Sequence, residues 1–311
     1  MTSDIAPANR LAAGRPGAQK RRRGNTGTVG LLFVLPFGIA FIAMLIVPIG
    51  YTLYLSLFQK KMVGGESFAG LGNYVRAFAD PKLLEGLLRV AQFLIIQVPI
   101  MLVLALFFAL AIDSARVYGG KLVRLLIFVP YAIPGVVGVL LWGYLYGTRF
   151  GLITQAFNAF GLPGPELLGE STMLGSMMNI VTWQHTGYNM IVLYAALRAI
   201  PGDLFEAAAM DGAGPWRTAW SIKIPAIRPA ILLCAIFSSI GAFQVFTEPN
   251  LMRALAPTVV SPWFTPSYYA FNTAFLEQNA NYAATLAFTM GLVIALIAYA
   301  VQFVTRRDSR S

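Results

Sequence analysis

The sequence predicts an all-α integral membrane protein with six transmembrane helices and both termini in the cytoplasm. Three observations carry that prediction. Of 311 residues, 57% belong to the apolar set Ala, Val, Ile, Leu, Met, Phe, Trp, Tyr and Cys, and only 12% are charged. A soluble domain is about a quarter charged, so too little polar surface remains here for a water-facing body. Long runs free of Asp, Glu, Lys and Arg recur along the chain, and the 23 Lys and Arg fall unevenly on the two sides those runs define. An ordinary soluble enzyme, a disordered chain and a fibrous repeat are excluded. A single cysteine, Cys234, excludes an internal disulfide framework and a cysteine-rich metal site.

The charge-free runs cover 24–59, 90–112, 125–148, 171–197, 229–247 and 278–305. Each approaches or exceeds the roughly 20 residues that cross about 30 Å of hydrocarbon. The first follows Arg21, Arg22 and Arg23, but it is much longer than a signal-peptide core and reads as an uncleaved anchor. A seventh run, 254–276, contains Pro257, Pro262 and Pro266 among Ser and Thr. It reads as a loop with a short helix, because prolines at that density cannot continue a lipid-exposed helix. Pro99, Pro130 and Pro134 read as kinks inside spans.

One side of these runs (1–25, 113–124, 198–228 and 306–311) holds 16 Lys and Arg with 6 acids; the other holds 7 with 7. The net charges are +10 and 0, so the excess orients the chain with both termini inside. Residues 1–25 form a basic tail expected to be disordered, and 26–311 form the six-helix domain. The tail's charge is explained by topology and anionic lipid, without nucleic acid.

The cytoplasmic segment 200–229 is more ordered in pattern than a linker. Asp203 with Glu206 three residues on suits a capping box, and Ala207, Ala208 and Ala209 favour helix. Gly212 then provides a left-handed stop, and Pro215 suits the first turn of a second helix. Small alanines on a stiff helix–turn–helix let another surface approach closely, which makes the segment a docking element. An amphipathic linker lying on lipid is the competing reading.

Glu206-Ala207-Ala208, Asp211-Gly212-Ala213, Ile222, Ile224-Pro225 and Pro229 resemble the EAA loop of binding-protein-dependent ABC importer permeases. Ile224 replaces the family's Leu, and Ala219 stands where Phe is common, with Trp220 beside it. The resemblance extends to carbohydrate-uptake members through Gly70-Leu71-Gly72-Asn73-Tyr74, Asp80-Pro81, Arg124, Pro130 to Pro134, Trp142, Thr265-Pro266 and Tyr282-Ala283-Ala284. Arg89-Val90 departs from the Asn-Thr of many relatives.

The resemblance implies that Glu206, Ala207, Ala208, Asp211 and Gly212 belong to a coupling helix seated in a cytoplasmic ATPase dimer. It also implies a second permease subunit in a heterodimer, an extracytoplasmic solute-binding protein and a sugar substrate. The chain contains no Gly-x-x-x-x-Gly-Lys-[Ser/Thr] loop, so ATP and its Mg²⁺ are expected on the partner ATPase, with no cofactor on this chain.

Polar residues within spans cost free energy unless they meet a partner or water. Trp183, Gln184, His185 and Tyr188 cluster in the fourth span; Gln244 ends the fifth, with Glu248 just beyond. Aromatic rings beside amide and imidazole groups suit a sugar, so these six residues form the candidate pathway. Interhelical hydrogen bonding is the alternative for each one singly. Cys234 reads as a packing residue, and the Gly143 to Gly147 spacing resembles a helix-dimer face. Two other functions stay open at this level: a standalone secondary carrier, and an importer permease for a non-sugar solute such as glycerol phosphate, a polyamine or an amino acid.

Overall fold

The computed structural model describes residues 26–61, 65–114 and 119–308. The basic tail at 1–25 lies outside the described residues. The chain divides into two compact units, Met1–Tyr51 and Thr52–Ser311. The described part of the first, 26–51, is helical; α1 comprises Thr26–Phe41, a π-helical turn, Ile42–Ile46, and Val47–Ser56, of which Thr52–Ser56 belongs to the second unit. Apolar side chains such as Phe33 and Met44 are exposed along it, as expected of an element that meets lipid.

After the end of α1, the second unit has an antiparallel hairpin, β1 (Phe58–Lys61) and β2 (Gly65–Phe68), in which Phe58 pairs with Phe68. A short helix, α2 (Gly72–Phe78), follows, then α3 (Pro81–Asp113), a 33-residue span. Asp80 caps α3 by accepting the Lys82 N–H at 3.0 Å. Pro99 sits in the first turn after a π-helical step at Phe93–Gln97, so α3 absorbs it without ending.

The charge-free run 125–148 is not one straight helix. α4 (Gly120–Ala132) stops at Ile133, and α5 (Gly135–Leu145) leaves at 96°. Pro134 withdraws a backbone donor and holds Ile133 extended, at ψ 131°. The Ile133 carbonyl receives Gln184 Nε2 at 3.3 Å instead. A short α6 (Leu152–Ala159) then leads to α7 (Met173–Arg198), whose 26 residues are long enough to cross a bilayer despite their polar cluster.

Beyond α7 come α8 (Asp203–Met210), α9 (Pro215–Ala226) and α10 (Arg228–Phe243); the last two meet at 65°. The fifth run also ends early: α10 stops at Phe243 and a new helix, α11 (Thr247–Leu255), begins. Segment 254–276 is irregular except for the end of α11, α12 (Pro266–Phe271) and a π-helical turn, Asn272–Leu276. The chain closes with α13 (Ala280–Asp308). Among the described residues, three helices meet length and apolarity criteria for a span, and five do if each bent pair counts once.

Close packing depends on small residues. Ala105 and Ala109 of α3 are fully buried against α7 with Met190, Leu193 and Leu197. Cys234 is buried in the same cluster, as a packing residue. Gly143 is internal: an added Cβ would meet Leu255 Cδ1 at 2.5 Å, so this glycine serves α5–α11 packing rather than a dimer face. At the far end of α3, Asp80 Oδ2 accepts Tyr269 Oη at 2.8 Å and Tyr282 Oη at 2.7 Å, joining α3 to α12 and α13.

Candidate functional site

Two features of the second unit carry chemistry. The first is a cavity of about 290 Å³ between α3, α7 and the broken α10–α11 segment, with a neighbouring cavity of about 490 Å³ against the α4–α5 break. His185 and Glu248 line both, so they stand between the two spaces. Tyr188 and Gln244 line the first; Gln184 lines the second.

The helical period explains this sorting. His185, Tyr188 and Asn189 recur at i, i+3 and i+4 and share one face of α7. Trp183 lies five positions before Tyr188, about 140° round the helix. It therefore does not join the cavity walls; its ring packs edge-on against Trp142 at 5.7 Å and lies over Gly138. Glu248 sits in the first turn of α11, and its carboxylate is buried in the wall rather than placed on an open outer surface. The break after Phe243 turns it inward.

His185 Nδ1 lies 3.1 Å from the Val181 carbonyl. A carbonyl only accepts, so Nδ1 is the donor in this contact. Tyr131, at the end of α4, stacks on Tyr188 at 4.9 Å and 24° and meets His185 edge-on at 5.9 Å. Gln97 and Asn189 add amides to the first cavity, and Phe246 adds a further ring. Sequence reasoning left Tyr131, Gln97 and Phe246 out of the pathway. The signal for Gln97 in the sequence is an amide, one of two with Gln92, within the apolar run 90–112.

The second feature is the loop at the other end of α7. Gly212 has φ +71°, and Ala213 N–H donates to Ala208 O at 2.9 Å, closing α8 with the left-handed stop the sequence predicts. Pro215 opens α9. The capping box is absent: Gly202 already has helical angles, Asp203 is the first residue of α8, and no side chain caps it. Asp203 and Glu206 instead place negative charge in the first turn, where the helix dipole favours it.

Glu206, Ala207, Asp211 and Gly212 are exposed, but Ala208 is buried and packs inward. Beside them Met210 is 89% exposed and Trp216 76%. Large exposed apolar side chains of α8 and α9 thus lie near the carboxylates of Glu206 and Asp211 in the chain.

Residues 71–309 match the family described as the binding-protein-dependent transport system inner membrane component. The chain belongs to this family. The permease is 31% identical to the lactose transport system permease protein LacF of Rhizobium radiobacter, over 90% of this chain and 95% of the relative. It is 28% identical to the diacetylchitobiose uptake system permease protein NgcF of Streptomyces coelicolor, over 97% and 92%. The sn-glycerol-3-phosphate transport system permease protein UgpA of Escherichia coli is 30% identical, over 88% and 92%. A crystal structure of a bacterial alginate ABC transporter in complex with alginate pentasaccharide-bound periplasmic protein contains a chain of the same fold. It has a TM-score of 0.76 and 20% identity, covering 92% of this chain and 96% of that one. The permease is thus a multi-pass inner-membrane transport subunit and not an enzyme.

Proposed function

We propose that the permease carries a neutral sugar or oligosaccharide inward across a bacterial or archaeal cytoplasmic membrane, as one membrane subunit of an ATP-driven importer. The observation that carries this reading is the composition of the cavity walls. Tyr131, Tyr188 and Phe246 present ring faces to sugar C–H surfaces, while Gln97, His185, Asn189 and Gln244 offer hydrogen bonds to hydroxyls. The names of LacF and NgcF support a sugar. A phosphate ester fits less well, because no Lys or Arg lines either cavity among the described residues.

The partners of this reading are a second permease subunit, a cytoplasmic ATPase dimer that binds ATP and Mg²⁺, and an external solute-binding protein. In this reading the chain has six spans and both termini in the cytoplasm, so α8 and α9 lie inside, with Glu206, Ala207, Asp211 and Gly212 toward the ATPase and the buried Ala208 toward the permease. The excess of 16 cations over 6 acids on that side supports the orientation.

The test uses cells expressing the permease with its chromosomal neighbours. Accumulation of labelled lactose, N,N′-diacetylchitobiose, trehalose and sn-glycerol 3-phosphate is measured with and without an intact gene for this chain. Dependence of one of the sugars on the gene is the expected result; dependence of glycerol phosphate alone overturns the sugar reading. Gly212→Trp is expected to strip the ATPase from the purified complex while membrane insertion persists. A Gly212→Trp complex that keeps its ATPase and transports normally refutes the coupling role.

A further inference from the structure

We propose that the ion pair between Asp113 and Lys223 is the strut by which the coupling loop moves the cavity wall, both residues acting as positioning residues. This rests on the coupling role proposed for α8.

Asp113 is the final residue of α3, and Lys223 closes the π-helical turn of α9. Their side chains are 7% and 16% exposed, so water and salt screen the pair little, and removing either partner strands a charge. A carboxylate on a helix C-terminus opposes the helix dipole, so helix stability alone does not call for Asp113. Lys223 offsets that cost and also lies over the Phe205 ring at 5.2 Å. Phe205 and Ala208 are the two residues of α8 withdrawn from solvent.

The footing of α8 is therefore narrow. Behind it lies a cleft of about 430 Å³ lined by Phe205, Ala209, Pro215 and Thr218 together with Asp113 and Lys223. Leu110 is the apolar α3 residue that lines this cleft, beside Asp113. A push on α8 passes from Phe205 to Lys223, and from Lys223 to Asp113. From there α3 is a regular helix back to Val98. Met101, which lines the first cavity, is twelve residues back, about 18 Å along the same rod. Ala105 and Ala109 seat this stretch directly on α7, so displacement of α3 carries the face that bears His185 and Tyr188.

The test needs no knowledge of the solute. In a Cys234→Ala background, Ser238→Cys places a thiol in the cavity wall, and the complex is purified with whatever ATPase accompanies the permease. The rate of N-ethylmaleimide labelling is measured without nucleotide and with ATP plus vanadate. ATP–vanadate is expected to change the rate by about 5-fold or more. Asp113→Asn and Lys223→Met are each expected to abolish that change while keeping the bound ATPase, its basal hydrolysis and the nucleotide-free labelling rate. Reversal of the pair, Asp113→Lys with Lys223→Asp, restores the response, and Lys223→Arg retains it even where the reversal does not fold. A full response in Asp113→Asn or Lys223→Met overturns the proposal, as does loss of the ATPase from those complexes, which would make the pair part of docking. Failure of the coupling reading is separate: Gly212→Trp would then keep both the ATPase and the labelling response.

Discussion

Gly187 is the position where one added carbon atom has the largest expected effect. It lies in α7 between Thr186 and Tyr188, and a Cβ built there would come within 2.1 Å of the Ile127 carbonyl oxygen and 2.8 Å of Phe128 Cα. Both are backbone atoms of α4, so no side-chain rotation relieves the clash. To regain an ordinary contact of 3.4 Å the two helices must part by about 1.3 Å. Overpacking of a close helix contact costs about 1–3 kcal/mol, and a backbone-on-backbone clash belongs near 3 kcal/mol. The displacement also separates Tyr131 from Tyr188, whose rings stack across the same two helices. Gly187→Ala is thus expected to lower both the thermal stability of the purified permease, followed by loss of the monodisperse peak after heating, and its solute accumulation. Gly175, on an exposed turn of α7 with nothing within 4 Å of its Cβ position, is the control. Gly175→Ala is expected to gain about 0.5–1 kcal/mol from reduced backbone entropy in the unfolded chain. Equal stability of the two variants would refute the argument that α4 and α7 are held at glycine distance.

Asp80 supplies a pH-dependent prediction. Burial pushes its carboxyl up, but hydrogen bonds from Tyr282, Tyr269 and the Lys82 N–H, with the Lys82 charge, outweigh this and hold it below the ordinary carboxylate value. A depressed folded value means that the stabilisation is full above the unfolded pKa and disappears as pH falls through the folded one. The stability advantage of the native chain over Asp80→Asn is therefore expected at neutral pH and shrinks on acidification; an advantage that grows in acid contradicts the assignment. Asn73 is buried and donates to Ser56 O at 2.9 Å and Phe58 O at 2.7 Å, fastening α2 to the start of the hairpin. Asn73→Ala removes both bonds, with only Thr285 Oγ1 still donating to Ser56 O at 3.3 Å; it is expected to cost about 2 kcal/mol and to speed amide exchange across Phe58–Phe68.

What the sequence determined by itself are the properties written in neighbouring residues. Low charge and long apolar runs identify a membrane protein, because hydrocarbon rejects ions wherever they fall in the fold. The left-handed stop at Gly212 and the helix start at Pro215 are equally local, since each depends on one residue's backbone freedom. The shared face of His185 and Tyr188 follows from helical period alone. Helical period alone does not supply the geometry where the backbone departs from it. Pro134 converts one apparent span into two helices at 96°, and the break after Phe243 folds Glu248 into a cavity wall. Ala208, one of the small residues expected on the docking helix, is buried. Only the tertiary structure decided contacts between distant segments: Tyr131 against Tyr188, Gln184 on the Ile133 carbonyl, Asp80 beneath Tyr269 and Tyr282, and Asp113 with Lys223. The physical reason is that each of these pairs is selected by how helices cross, and a crossing depends on side-chain volumes from both partners at once.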